Sequence, residues 1–272
     1  MADLIETHWI EQKRMYEKIK AAGGFEAYAG TLPNLADAFQ SDKCLRCIDE
    51  GTKDGLHAAG SGIAYIKTKG FDKGLKGYQA IDAGLTAAAD AFKNANLDGI
   101  YSHEECGAAK LIYDKFPDSF KEQLEKEHKI KNSDEFGAYF ANRLATKIGT
   151  EYKGMIKIAD MARPSGHHVA RFTYIDSTGT FNPSVEGLPK GFVISRRYLE
   201  GEEMIFEADV SISIVLGSHG FGDRITAQQP HALIVIGNDG LSKEALIGEL
   251  VPLVAKYNGR VIVDGCTAPF NK

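Results

Sequence analysis

The sequence has few cysteines and no long run of apolar residues. Its four cysteines, spread over 272 residues, are too few and too scattered to predict a disulfide framework in a chain of this size. The longest apolar runs have the length of a strand, so no segment is expected to span a membrane. The first 25 residues are rich in charge and lack the apolar stretch and cleavage pattern of a secretory signal. These absences predict a cytoplasmic protein with reduced thiols.

A cluster of basic residues is also missing. The chain has 32 lysines and arginines against 37 acidic residues, with a formal net charge of -5, and its basic residues are spread along the whole sequence. Such a distribution offers no electrostatic surface for a phosphate backbone, so nucleic acid is not an expected partner. With 43% hydrophobic residues, the chain is long enough for a substantial core. No internal repeat is evident in the sequence.

The first half of the chain alternates helical and strand patterns. Apolar residues at helical spacing predict a helix over 3–21, and Gly23 and Gly24 follow it as a stop signal. Further on, the pattern predicts a strand at 43–49, a helix at 74–93, a strand at 98–102 and a helix at 104–116. Alternating strands and helices predict a parallel sheet, in which ligands bind beyond the carboxyl ends of the strands.

The second half is predicted to be richer in strands. Its candidate strands are 170–176, 191–195, 209–217, 232–237 and 260–265, with a helical pattern between the last two. The predicted fold is therefore α/β, with a mostly parallel central sheet flanked by helices and a β-rich C-terminal part. We expect a metal-binding core at 1–180 and a C-terminal α/β extension at 181–272, packed on the same domain.

The segment SHEECGAAK (102–110) carries the sharpest local signal. It places His103 and Cys106 three positions apart, immediately after a predicted strand. At a turn from strand to helix, this spacing can direct both side chains toward one point. An imidazole and a thiolate are both ligands that zinc prefers in proteins.

The segment CIDEG (47–51) supplies the partner. Side chains alternate along an extended backbone, so Cys47 and Asp49 are expected on one face and Cys44 on the other. Two thiolates and one imidazole, from Cys47, His103 and Cys106, suit zinc and also permit cadmium. Three protein ligands leave a fourth tetrahedral position for water. The sequence thus predicts a metal site of the catalytic type.

These two segments resemble the ligand motifs of the β-class carbonic anhydrases, which carry C-x-D-x-R after one strand and H-x-x-C-G after a later one. The stretch HAAGSGIAYI (57–66) resembles the glycine-containing segment between the family's motifs, and RCIDEGTKDG with AAGSGIA resembles the cadmium-using ζ-class enzymes. The resemblance covers about residues 40–180. It implies a β-carbonic-anhydrase-like fold, metal ligation by Cys47, His103 and Cys106, a role for Asp49 in handling the metal-bound water, and a homodimer or higher homo-oligomer.

The sequence departs from the family at Gly51, where the family has an arginine that pairs with the aspartate. That arginine holds the carboxylate away from the metal, because a charge-assisted pair is stronger than an ordinary hydrogen bond. Without it, Asp49 could become a fourth ligand and close the site. Other cations could take the place of the arginine, and the candidates are Arg46, Lys53, Arg163 and Arg224.

The resemblance implies reversible hydration of carbon dioxide to bicarbonate by a metal-bound hydroxide. Asp49 would orient the water, and His57 is a candidate proton shuttle because histidine titrates near physiological pH. The same fold could instead hydrolyse carbonyl sulfide or carbon disulfide. A third alternative is a non-catalytic metal-binding protein whose site Asp49 closes.

Two other uses of the cysteines compete with this interpretation. Cys44 could join Cys47, His103 and Cys106 in a closed structural zinc site, although strand alternation directs it to the opposite face. Cys266 follows a predicted strand and could be a nucleophile, but no base is placed beside it, and a buried structural role is expected.

Overall fold

The protein is an α/β structure with two four-stranded sheets, each of them entirely parallel. This computed structural model describes residues 2–52 and 54–268. The predicted fold class, an α/β protein with parallel strands flanked by helices, is confirmed. The strands form two sheets, however, where the sequence pattern predicted one.

The chain forms two compact units. The central unit comprises Lys43–Met161, and the terminal unit comprises Met1–Asp42 together with Ala162–Lys272. These bounds differ from the predicted division at residue 180, since the N-terminal segment and residues 162–180 group with the C-terminal part. The physical reason is strand pairing, because the strand at Phe172–Asp176 pairs with two later strands.

The central unit contains the first of the two sheets, which begins in the strand predicted at 43–49. Its elements in chain order are β1 (Cys44–Arg46), β2 (Leu56–His57), α3 (Gly77–Phe92), β3 (Gly99–His103), α4 (Gly107–Tyr113), α5 (Asp118–His128), α6 (Ser133–Ile148) and β4 (Tyr152–Ile156). The strand order is β2-β1-β3-β4. The register pairs Leu45 with Ile100, so β1 and β3 run side by side toward the same edge of the sheet.

The terminal unit is built from both ends of the chain. Two helices come from the N-terminal segment, α1 (Ala2–Ala22) and α2 (Phe25–Ala29). The rest are β5 (Phe172–Asp176), β6 (Gly191–Ile194), α7 (Gly201–Leu216), β7 (His231–Gly237), α8 (Lys243–Val254) and β8 (Val261–Thr267). The strand order is β6-β5-β7-β8.

The N-terminal helices are fixed to this second sheet by the apolar core of the terminal unit. Phe25 is fully buried and packs its ring 6.0 Å from that of Tyr174 on β5. The backbone N–H of Phe25 donates to Asp264 on β8 at 2.6 Å. Burial of an aromatic pair of this size contributes several kcal/mol in total, about 1.5–3 kcal/mol for each ring, which explains why the N-terminal segment joins the terminal unit.

The strand predicted at 209–217 is wrong, because these residues lie mainly in α7. The segment is rich in β-branched residues, which favour strands by propensity. Its buried side chains, however, recur at helical spacing through Met204, Ala208, Ser211, Ile212 and Val215. Packing of this face decides the local structure over propensity, and the C-terminal part is less rich in strands than predicted.

The two sheets share one strand order. When strands are numbered within their own unit, each sheet has the order 2-1-3-4 and all four strands are parallel. In each unit one α-helix lies between the second and third strands, and the third and fourth strands are connected by three α-helices in the central unit and by one in the terminal unit. The repeat is therefore topological, although the sequence shows no matching repeat. In this order the chain leaves the first and third strands in opposite directions, which opens a crevice at their carboxyl ends.

Among residues 2–52 and 54–268, no helix combines the length and hydrophobicity that a transmembrane helix needs.

Candidate metal centre

Three donor side chains meet at the crevice of the central unit. Cys47 follows β1 directly, His103 is the last residue of β3, and Cys106 is the N-cap of α4. Because β1 and β3 are neighbours, their carboxyl ends bring together residues that lie far apart in the sequence. The three residues that the sequence predicts as ligands are thus brought together.

The donor atoms have the spacing that a metal ion requires. The Sγ atoms of Cys47 and Cys106 and a ring nitrogen of His103 all lie within 4.8 Å of one another. The two Sγ atoms are 3.9 Å apart. Two sulfurs bound at about 2.3 Å to a tetrahedral zinc lie about 3.8 Å apart. All three residues are buried, with at most 4% of their surface exposed.

His103 presents one ring nitrogen to this point. Its Nδ1–H donates to the carbonyl of Glu104 at 2.8 Å, which leaves Nε2 as the ring nitrogen that can bind a cation. Nε2 is buried and has no hydrogen-bond partner among the described residues. Histidine ligands of metals characteristically donate their other N–H to a carbonyl or carboxylate. A buried donor or acceptor without a partner costs about 1–3 kcal/mol, and a cation bound to Nε2 would remove that cost.

The turn that carries His103 and Cys106 is tightly held. Glu105, between them, has a φ of 56°, a left-handed conformation that is unusual for a residue other than glycine. Glu104 anchors the turn to the end of β4, since its carboxylate accepts from the Lys157 ammonium at 2.8 Å and from the Ile158 N–H at 2.9 Å. These contacts fix the spacing of the two ligands.

Backbone amides point at both sulfurs. The N–H of Gly60 donates to Sγ of Cys47 at 3.2 Å, and the N–H of Ala109 donates to Sγ of Cys106 at 3.5 Å. Gly60 and Ser61 both adopt left-handed backbone conformations, with φ of 56° and 57°. The hydroxyl of Ser61 donates to the Tyr101 carbonyl at 2.5 Å and holds this loop against β3. N–H donors of this kind stabilise thiolates over thiols.

Without a cation the site holds protons tightly. Burial, followed by the nearby sulfur of Cys106, raises the pKa of the Cys47 thiol well above its usual value. For His103, burial lowers the pKa, but the sulfur of Cys47 and the carboxylate of Asp49 outweigh that effect and raise it to about 9. A divalent cation would have to displace these protons.

Asp49 lies beside the ligands without joining them. Its carboxylate is not part of the group of mutually close donor atoms formed by Cys47, His103 and Cys106. Oδ1 of Asp49 accepts the backbone N–H of Gly51 at 2.8 Å. The residue is buried, with 4% of its surface exposed. The position at which the family has an arginine therefore supplies a backbone donor to the same carboxylate.

Two of the candidate replacement cations have other contacts. Arg46 donates to the carbonyl of Asp54, and its guanidinium lies 4.8 Å from the ring centre of Tyr101. Arg224 pairs with Glu6 at 2.6 Å. Arg163 belongs to the terminal unit, and Lys53 lies outside the described residues.

His57 is part of the frame of the site. It is the last residue of β2, is 3% exposed, and its Nδ1 lies 2.7 Å from the carbonyl oxygen of Cys47. This contact ties β2 to the loop that carries the first thiol ligand. Its role as a proton shuttle stays a prediction.

The other two cysteines lie outside the donor group. Cys44 lies within β1 and is not among the close donor atoms, as strand alternation predicts, so the described residues offer three ligands and not a closed set of three cysteines and a histidine. Cys266 belongs to the core of the terminal unit. Burial raises the pKa of its thiol to about 12, which disfavours a nucleophilic role.

Comparison of the chain with protein-family models, with curated proteins and with solved structures finds no match. The resemblance to the carbonic anhydrases accordingly depends on short sequence motifs, chiefly the two ligand motifs. Any function has to be argued from the chemistry of this buried Cys-His-Cys group, whose spacing is compatible with a metal ion.

Proposed function

We propose that the chain is a zinc-dependent enzyme that catalyses the reversible hydration of carbon dioxide to bicarbonate, similar to the β-class carbonic anhydrases. One observation carries the proposal. Cys47, His103 and Cys106 converge in a buried crevice, with the two sulfurs 3.9 Å apart and with Nε2 of His103 lacking a hydrogen-bond partner among the described residues.

The donor set favours zinc. Two thiolates and an imidazole bind a borderline-soft cation of tetrahedral preference, and cadmium has the same ligand preference. Three protein ligands leave one coordination position for a small molecule, which is the arrangement of catalytic sites. When bound, zinc lowers the pKa of a coordinated water toward neutrality.

Asp49 serves as the orienting acceptor in this proposal. Its carboxylate is buried next to the ligands and is held through Oδ1 by the N–H of Gly51. A carboxylate fixed in this way can accept a hydrogen bond from the reacting water and align it with carbon dioxide. The alternative of a closed site requires Asp49 as a fourth ligand, and its place outside the donor group favours the open arrangement.

Metal analysis combined with a hydration assay tests the proposal. Purified protein is loaded with zinc, its metal content is measured by mass spectrometry, and carbon dioxide hydration is followed by stopped flow between pH 6 and 9. We expect one zinc per chain and a zinc-dependent rate. Cys106→Ser should lose both, whereas Cys44→Ala, a buried cysteine outside the donor group, should keep both.

Two results would overturn the proposal in different ways. Protein that binds neither zinc nor cadmium stoichiometrically would remove the metal site itself. Protein that binds one zinc through Cys106 and shows no hydration rate would leave a metal-binding protein without this activity. Assembly into a homodimer or higher homo-oligomer and a cytoplasmic location are further expectations of the proposal, and light scattering on the purified protein tests the first of them.

A further inference from the structure

The terminal unit has a cavity of its own, independent of the metal centre. The cavity has a volume of about 620 Å³ and is lined by residues that follow β5, β6, β7 and β8. It therefore lies beyond the carboxyl ends of the second sheet. Its volume falls within the range of about 300–1,000 Å³ that is typical of small-molecule sites.

This cavity has the same topological position as the metal centre. Both sheets have the strand order 2-1-3-4. In the central unit the ligands follow the first and third strands. In the terminal unit the equivalent loops begin at Ser177 and Asn238, and both residues line the cavity. Parallel sheets of this kind bind ligands at such a crevice.

The chemistry of the lining differs from that of the metal centre. No cysteine or histidine is among the described residues that line the cavity, so it lacks the donors that would hold zinc. Its polar lining comprises hydroxyl, amide and guanidinium groups, from Ser177, Thr178, Thr180, Asn238, Arg196 and Arg197. The hydroxyls of Ser177 and Thr178 already donate to the Ile236 carbonyl and the Asp176 carboxylate. The donors that remain for an oxyanion are the guanidinium of Arg197 and the second N–H of the Asn238 amide.

The loops of the cavity are fixed before any ligand binds. The buried carboxylate of Asp176 accepts from the N–H and hydroxyl of Thr178, at 2.8 and 2.6 Å, and from the N–H of Phe181 at 3.1 Å. The side chain of Asn238 donates to the Ser177 carbonyl at 2.7 Å and so joins the two loops. Because these loops are already ordered, less conformational entropy is lost when a ligand binds.

The two arginines have different surroundings. Arg196 forms a two-point ion pair with Glu249, with distances of 3.0 and 3.1 Å, and its charge is balanced. Arg197 donates to the Thr178 carbonyl at 3.0 Å and has no carboxylate within 4 Å in the part of the chain that the structure describes. It is exposed, and its remaining N–H groups are available to a ligand. The lining also includes one acidic residue, Asp239.

We propose that this cavity binds a small anion that carries a carboxylate or phosphate group, with the guanidinium of Arg197 as its principal partner. A planar guanidinium binds either group through two parallel hydrogen bonds. The Asn238 amide, which has one N–H beyond its bond to the Ser177 carbonyl, then contacts the rest of the ligand. Asp239 opposes the anion through its like charge and limits the affinity.

Calorimetric titration of the full chain tests this site. The probes are inorganic phosphate, malonate and, as a neutral molecule of similar polarity, glycerol. We expect phosphate or malonate to bind and glycerol not to bind, equally in zinc-loaded and zinc-free protein. Arg197→Gln should weaken binding at least tenfold, Arg197→Lys should retain part of it, and Asp239→Asn should strengthen it severalfold. The matched control Arg224→Gln, also an exposed arginine, should leave it unchanged.

Opposite responses to Arg197→Gln and Asp239→Asn distinguish a charge-based site from a structural effect. Melting curves by circular dichroism verify that each variant is folded. The proposal is overturned if wild-type protein binds neither anion, if glycerol binds equally well, or if a folded Arg197→Gln variant binds as tightly as the wild type. Loss of affinity in Asp239→Asn would also overturn it, since that result would require a cationic group on the ligand.

Discussion

The backbone N–H of Gly51 and the carboxylate of Asp49 form a hydrogen bond of 2.8 Å beside the donor group of the candidate metal centre. The same sequence position carries an arginine in the β-class motif, so a charged side-chain donor is replaced here by a neutral backbone donor. The backbone bond has one charged partner, whereas an arginine pair has two charged partners and two parallel hydrogen bonds. The backbone donor, however, comes from a buried turn and needs no side-chain ordering. Asp49 can thus be oriented without the arginine.

Asp49→Asn tests this orienting role. The amide keeps an oxygen that can accept the Gly51 N–H but loses the charge that aligns the reacting water. We expect kcat/KM for carbon dioxide hydration to fall by about 100-fold or more, while the zinc content stays at one per chain. A closed site predicts the reverse, since removing a fourth ligand would weaken zinc binding and raise the rate.

Zinc affinity should increase with pH. Burial raises the pKa of the Cys47 thiol well above its usual value, so near neutrality the metal-free sulfur is protonated and zinc must displace that proton. Each displaced proton makes the apparent Kd about tenfold tighter per pH unit. Competition titrations with a zinc chelator between pH 6 and 8.5 measure the slope. A Kd that does not change over this range would contradict protonated ligands in the metal-free site.

Gly60→Ala should disturb the site in two ways, by a steric clash of the added Cβ and by a less favourable backbone conformation. An added Cβ would lie 2.3 Å from Cγ2 of Ile63, and the residue has a φ of 56°. Gly74 is a matched control, because its φ is 79° and nothing lies within 4 Å of an added Cβ. Both variants incur the left-handed cost of about 1–2 kcal/mol. We expect the free energy of unfolding of Gly60→Ala to fall by a further amount of about 1–3 kcal/mol because of the clash.

Chemical denaturation with and without zinc separates these effects. The N–H of Gly60 donates to Cys47, so displacement of this loop should also weaken zinc binding in Gly60→Ala and not in Gly74→Ala. Equal losses of stability and unchanged zinc affinity in both variants would mean that the loop around Gly60 adapts without moving the sulfur.

The three donor residues could be predicted from the sequence because each of them lies at or just after the carboxyl end of one of two strands. His103 and Cys106 are close in sequence and follow a strand, and Cys47 follows the neighbouring strand, so parallel pairing alone brings them together. The amides that point at the two sulfurs were not predictable. The glycines around Gly60 indicate a special turn, but which N–H faces Cys47 depends on backbone angles that residue types do not specify.

The fold class could be predicted from the sequence, but the division of the chain into these two units could not. Periodicity located α3 and β3 to within about three residues, which is the usual accuracy for element boundaries. It gave no sign that the strand at Phe172–Asp176 begins a second sheet, because pairing partners are set by long-range contacts. The wrong strand at 209–217 has the same origin, since burial of one helical face outweighs the propensity of β-branched residues.

His57→Ala separates two roles for a buried histidine. Its ring lies 2.7 Å from the carbonyl oxygen of Cys47 and is 3% exposed, a position suited to holding the ligand loop. We therefore expect kcat and kcat/KM to fall together, zinc affinity to decrease, and no recovery in concentrated imidazole buffer.

A proton shuttle, the role that the sequence predicts for His57, gives a different pattern. The rate-limiting proton transfer then lowers kcat in dilute buffer, leaves kcat/KM and zinc affinity unchanged, and is restored by added imidazole. Stopped-flow assays at several buffer concentrations, with zinc content measured on the same samples, distinguish the two. Because Nδ1 faces Cys47, a shuttle would have to work through Nε2 alone, and rescue by imidazole is the result that would establish it.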